Sequence, residues 1–223
     1  MSKLYALAGA AAAACLAAGS AFATDAIPYP NSGVYNALTY SFTAAANGDV
    51  MAYIVGGFTA GYENELGLLV NGVQQGGYAL NNHTSSAGDS YNFGAVVAGD
   101  QLVFVLHNLS VGADAFSNAA FNAAYDSQYN PYIGPHNHIY STAYTADPSI
   151  ASVPVGTYVG FEDIPFGDGA DYNYDDESFV FTNTATAVNG AVPEPATWAL
   201  MISGFGLAGA ALRRRQRPAA SAA

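Results

Sequence analysis

Between Thr24 and Val192 the chain has no lysine and no arginine. Its five basic residues, Lys3, Arg213, Arg214, Arg215 and Arg217, all lie near the two ends. Of the 17 acidic residues only Glu194 falls outside that interval, which leaves 16 carboxylates inside it. No Lys or Arg salt bridge can form there. Binding to nucleic acid or to anionic lipid is excluded on the same ground, since both need cationic surface. Cysteine is equally scarce. The single Cys15 lies in the N-terminal apolar stretch, so the interval has no disulfide. Over the whole chain Gly (24), Tyr (16) and Phe (12) are abundant, while Glu is rare and Lys3 is the single lysine. That balance disfavours helix and favours strand.

Residues 1–23 read as a signal peptide. Lys3 is the charged start, Leu4 to Ala18 is apolar, and Ala21-Phe22-Ala23 is an A-x-A cleavage site for signal peptidase. The mature chain is then expected to begin at Thr24. Cys15 raises a lipoprotein alternative, but Ala12-Ala13-Ala14 precede it in place of the usual leucine.

The last thirty residues have three parts in sequence. Pro193-Glu194-Pro195 disfavours helix and reads as an extended, accessible triplet. Ala196 to Leu212 carries no charge; its seventeen residues would make roughly 25 Å of helix, near the lower limit for a transmembrane span. Trp198 suits the membrane interface, and Arg213, Arg214, Arg215 and Arg217 form a cytoplasmic stop. This order, P-E-P-x-x-W-A, apolar run and Arg cluster over residues 192–217, closely resembles the PEP-CTERM sorting signal. The resemblance implies recognition of the triplet and removal of the tail by an exosortase, in Gram-negative bacteria that make extracellular polysaccharide. It implies export through the inner membrane as an anchored precursor. The expected destination is the cell surface or the extracellular matrix.

Between the ends, residues 24–184 are long enough for one domain with a sizeable core. Tyr/Thr-rich and apolar runs of strand length alternate with Gly/Asn turns. Val34–Ala45 and Val50–Phe58 flank Asn47-Gly48-Asp49 and read as a hairpin. Tyr91–Val97 and Gln101–His107 flank Ala98-Gly99-Asp100 and read as a second. Glu63–Val70 runs into an Asn71-Gly72 turn. Strands are also expected over 138–144, 157–161 and 178–184, and a short helix or ordered loop over 112–135, where Phe121 and Tyr125 are four apart. The expected fold class is all-β: an antiparallel β-sandwich or jelly roll of about eight or nine strands. Residues 185–191 are expected as a linker.

Seven of the 16 carboxylates lie between Glu162 and Glu177. Two carboxylates ~4 Å apart repel by about 4 kcal/mol at an effective dielectric near 20. Without a basic side chain, the remedies are separation in solvent, protonation or a bound divalent cation. Asp171, Asn173 and Asp175 have D-x-N-x-D spacing, whose hard oxygen ligands suit Ca²⁺. The segment is not an EF-hand: Asp176 stands where a Gly is needed, Thr182 where a Glu is needed, and a strand follows. The run Gly160-Phe161-Glu162-Asp163, with Asp171, Tyr174, Asp175, Asp176 and Phe179, resembles a secreted domain of unknown function with a G-F-E-D…D-x-D-Y-N-D-x-x-F signature. That resemblance implies a β-rich extracellular domain thought to bind calcium. The candidate Ca²⁺ ligands are Glu162, Asp163, Asp168, Asp171, Asn173, Asp175 and Asp176. The alternative is a solvated acidic loop. Phe161 and Phe179 are core residues under either.

His136-Asn137-His138 places two histidines on one face of a strand, a possible Zn²⁺ pair, with no third His or Cys nearby in sequence. His83 and His107 read as a loop and a strand residue. There is no G-x-S-x-G elbow, and clustered carboxylates fit cation binding better than glycoside hydrolysis. The expected protein is therefore exported, exosortase-processed, non-enzymatic and calcium-stabilised. The alternative is a carbohydrate-binding module of the polysaccharide matrix.

Overall fold

The computed structural model describes residues 29–128 and 134–189, together with Ser203 and Phe205. The signal peptide, the sorting triplet and the Arg cluster lie outside the described residues, as does the apolar run apart from Ser203 and Phe205. Among the described residues no helix is long and apolar enough to cross a membrane.

Eleven strands are described, against the eight or nine expected. They are β1 (Thr39–Ala44), β2 (Gly48–Gly56), β3 (Asn64–Val70), β4 (Val73–Gln74), β5 (Ser90–Val96) and β6 (Gln101–Asn108), then β7 (Ala113–Phe116), β8 (Ile139–Tyr144), β9 (Gly156–Phe161), β10 (Glu177–Phe181) and β11 (Thr184–Asn189). A 3-10 turn at Ala119–Phe121 leads into one short helix, α1 (Ala123–Asp126). The first sheet runs β11-β1-β6-β3-β4, with β7 also on β6; the second runs β5-β2-β10-β9-β8. All pairings are antiparallel.

Alternation explains which faces meet. In β1 exposed and buried residues alternate strictly, and Tyr40, Phe42 and Ala44 point inward. Val50, Ala52 and Ile54 of β2 do the same from the other sheet. The two inner faces share one core. Aromatic rings close it: Phe104 of β6 stacks on Phe181 of β10 at 3.7 Å, and Phe42 lies 4.9 Å from Phe104. Phe161 and Phe179 are fully buried, edge to face at 6.2 Å.

Two expected hairpins do not form. β1 and β2 belong to different sheets, and so do β5 and β6. Their connections cross between the layers. The β10–β11 connection crosses beside them, and the three are bonded together. Asn183 donates to the carbonyls of Ala46 and Gly48 and accepts from Ala46 N–H, while Asn47 Oδ1 accepts from Ala98 N–H. Asn and Gly supply the turn in either topology; neighbouring strands decide which forms. The Asn71-Gly72 hairpin does form. Both residues have positive φ (50° and 81°), as a type I′ turn requires, and Val70 pairs with Val73. Most of the expected linker, 185–191, is strand instead: β11 pairs with β1 from Thr184 to Asn189. Its Thr/Ala composition resembles a linker because the strand is exposed on both faces.

Phe181 anchors both layers, so Phe181→Ala is expected to cost about 3–5 kcal/mol, read as a lower denaturant midpoint in urea unfolding.

Candidate functional site

At the end of the sandwich opposite the three crossings, β9 and β10 are joined by the acidic segment. Phe161 pairs with Glu177 in register. Residues directly opposite share a face, so Glu177 points inward alongside Phe161 and Phe179. Across the gap stands Asn64, the first residue of β3 in the other sheet. Its Nδ2 donates to Asp163 Oδ2 at 2.7 Å. Asp163 N–H donates to Asp176 Oδ2 at 2.9 Å. The Asp163 carbonyl accepts from Asn108 Nδ2 at 3.1 Å and from the Tyr125 hydroxyl.

Two carboxylates here are sealed with nothing to bond. Glu162 is 2% exposed and Glu177 0%, and none of their four carboxyl oxygens has a hydrogen-bond partner. Asn64 Oδ1 is also buried and unpartnered. Burial, then the charges of Asp176 and Asp171, push the Glu162 carboxyl up to about 9. Burial, then Asp163, raises Glu177 to about 10. Asp176 rises to about 7, through burial and then Asp163. Asp163 and Asp175 are raised too, with burial the largest cause in each.

The outer part of the segment is bonded differently. Asn173 N–H donates to Asp171 Oδ1 at 3.1 Å, Asn173 Nδ2 to Asp171 Oδ2 at 2.8 Å, and Asp175 N–H to Asn173 Oδ1 at 3.0 Å. The D-x-N-x-D spacing thus makes consecutive Asx turns. The intervening Tyr172 and Tyr174 take positive φ (52° and 57°). Tyr174 pins the loop: its ring is fully buried against Tyr29, and its hydroxyl accepts from Asn36 N–H at 2.8 Å. The loop lies flat on the sheet because Gly160 is beneath it. A Cβ there would collide with the Tyr174 carbonyl oxygen.

Of the expected ligands, the structure gathers Glu162, Asp163 and Asp176, with Asp175 half-buried beside them. Asp168 and Asp171 are exposed. The oxygens of Asn173 and Asp171 serve the Asx turns. Among the described residues no group of three or more His, Cys, Asp or Glu side chains is placed to hold a metal ion. Sequence reasoning assigned no ligand role to Glu177 or Asn64. Strand register places Glu177 inward, and the fold brings Asn64 to it from 99 residues before Asp163.

His136 and His138 do not form a zinc pair on a strand. They precede β8, and both turn toward Asp126 of α1. His138 Nε2 is 2.8 Å from Asp126 Oδ1, and His136 Nδ1 is 3.5 Å from Asp126 Oδ2. His138 Nδ1 lies 3.1 Å from the Glu162 carbonyl oxygen. The His138 ring thus bridges the Asp126 carboxylate of α1 and the backbone of the acidic segment. Burial raises the Asp126 carboxyl, but His138 and the N–H groups of Phe166 and His136 outweigh it and leave it below its ordinary value. His136 stacks on Phe166 at 3.5 Å. His83 is a loop residue and His107 lies in β6, as expected.

In class, then, the chain is a two-sheet all-β domain with one acidic end, followed by a short C-terminal segment. Residues 191–215 match the family described as the PEP-CTERM protein-sorting motif. The chain therefore carries a PEP-CTERM sorting motif at its C-terminal end, a signal that implies an exported protein, membrane-anchored before processing by exosortase. No curated protein and no solved structure is significantly similar to it.

The raised carboxyls set a pH dependence. Between the ordinary values and about 7–10, the folded state holds more protons than the unfolded state, so folding weakens as pH rises through that window. Asp126 works the other way, and its contribution is lost only as pH falls through its depressed value. Calorimetry of the metal-free processed protein should find a lower melting temperature at pH 9 than at pH 5.

Proposed function

We propose that the processed protein is a non-enzymatic component of the cell surface or polysaccharide matrix, whose β-sandwich is rigidified by Ca²⁺ bound along the Glu162–Glu177 segment. One observation carries the calcium reading. Seven carboxylates crowd this segment, and the domain has no lysine or arginine to set against them. Every candidate donor is a hard oxygen, which favours Ca²⁺ over softer metals. The non-enzymatic reading is supported by burial: Glu162, Asp163 and Glu177 are sealed in the fold, out of reach of a polymeric substrate. The sorting motif supports this destination, since removal of the tail would free the domain from the membrane.

A ligand that binds only the folded state at 100 times its Kd adds about 2.7 kcal/mol, or roughly 5–10 °C for a domain of this size. Scanning calorimetry of the processed protein is expected to give such a rise between chelator and millimolar Ca²⁺. An unchanged melting temperature would refute the calcium reading. In a host with exosortase, Glu194→Ala should leave the protein in the membrane fraction with its tail attached. Release of a shortened Glu194→Ala product would refute the role of the triplet.

A further inference from the structure

The outer edge of a sheet presents backbone N–H and C=O groups that can pair with another chain, and proteins commonly blunt it with lysine, proline or a bulge. This domain has no lysine for the purpose, and side-chain amides cover its edges instead. Gln75 Nε2 donates to the carbonyls of Phe93 and Ala95 on β5. Asn122 accepts from the Phe116 N–H on β7 and donates to the Phe116 carbonyl. Asn36 and Asn137 donate to the Ile139 carbonyl on β8. β4 is only two residues long. β11 is the exception. Its residues Thr-Ala-Thr-Ala-Val-Asn include no charge and no proline, and its register with β1 runs unbroken from Thr184 to Asn189. Among the described residues no strand pairs with its outer side.

The register fixes which groups are free. Ala44 turns its N–H and C=O away from β11, to Asp100 and Gly99. Ala44 lies opposite Thr184. Alternation along an antiparallel ladder then directs the N–H and C=O of Thr184, Thr186 and Val188 outward. Beside them the sandwich is open. A groove of about 340 Å³ lies between β11 and the second sheet, lined by Ser141 and Ala143 of β8, Gly156 and Thr157 of β9, and Thr186 and Val188. β1, β8, β9 and β11 contain no acidic residue, so the strands of this flank carry no charge in a domain that is otherwise anionic.

We infer that β11 is a self-association edge: a second copy of this chain adds its own β11 antiparallel, about a two-fold axis at Thr186. In that register Thr186 meets its own equivalent, Thr184 meets Val188, and Ala185 meets Ala187. The outward-facing residues therefore pair with one another, and each such pair exchanges two N–H···O bonds. The same patch serves both copies, so the interface closes at two. Two strongly anionic domains can approach here because their acids lie elsewhere. The chain's own tail is a poor occupant. A reversal at Asn189-Gly190 would bring Pro193 and Pro195 opposite Thr186 and Thr184, and proline has no N–H to donate. A cationic partner would be drawn to the acidic end, not to this flank. The inference does not rest on the calcium reading.

Sedimentation velocity of the processed protein, in chelator and in salt that screens like charge, is expected to show monomers passing into dimers as concentration rises through the micromolar range. Thr186→Pro removes the outward N–H at the axis and leaves the ladder to β1 intact. It is expected to keep the melting temperature of the dilute parent and to weaken association at least about tenfold. Thr186→Cys reads the axis directly, because the chain has no cysteine from Thr24 to Val192. Cα atoms of a hydrogen-bonded pair lie about 5.5 Å apart, within disulfide reach. Mild oxidation should therefore cross-link Thr186→Cys into a covalent dimer. Val73→Cys, exposed on β4 at the opposite margin of the first sheet, should stay monomeric. Monomers at every concentration with no Thr186→Cys cross-link would overturn the inference. So would dimers that Thr186→Pro leaves unchanged, since they would place the interface elsewhere.

Discussion

Carboxylates buried without lysine or arginine must find other partners, and the polar interior of this domain is built from those substitutes. Asn64 answers Asp163 with its amide, and the Asp163 backbone answers Asp176. Asp126 collects two backbone N–H groups and the ring of His138. Asn36, Asn82, Asn108, Asn122 and Asn137 are all buried and bond loop backbone to strand ends. An amide donates and accepts in one side chain and carries no charge that must be desolvated, so it can be enclosed cheaply. The limit of the strategy is reached at Glu162 and Glu177, whose carboxyl oxygens are buried without a well-formed hydrogen bond.

The two ends of the sandwich are consequently unlike. At one, three crossings between the sheets are tied together by Asn47 and Asn183. At the other, like charges are packed against the mouth of an aromatic core. Phe161 and Phe179 lie next to the acids in sequence and are fully buried. The rings exclude water, and that exclusion is what makes the unpartnered carboxylates so costly. Apolar packing and electrostatic strain thus meet on the same two strands, β9 and β10.

Much of this was legible in the residues. The all-β class, the acid cluster, the buried Phe161 and Phe179, the Asn71-Gly72 turn and the sorting tail each follow from local composition or spacing. The hairpins expected at Asn47-Gly48 and Ala98-Gly99 were not legible, because a turn says that the chain reverses and alternation says which face is apolar. Neither names the neighbouring strand. Residues 185–191 were read as linker for a related reason, since an edge strand exposed on both faces has little apolar signature. The D-x-N-x-D spacing was seen, but the same Asp and Asn oxygens that bind a cation also cap their own backbone two residues on.

Strand alternation, the missing basic residues and the C-terminal motif are properties of short stretches and of totals, so the linear chain sets them whatever its topology. Which carboxylates lose their water is a different kind of property. It depends on Glu177 falling opposite Phe161 in register, and on Asn64 arriving from the other sheet, at a separation of about a hundred residues. Proximity across that distance is created by packing two sheets together, and no local pattern encodes it.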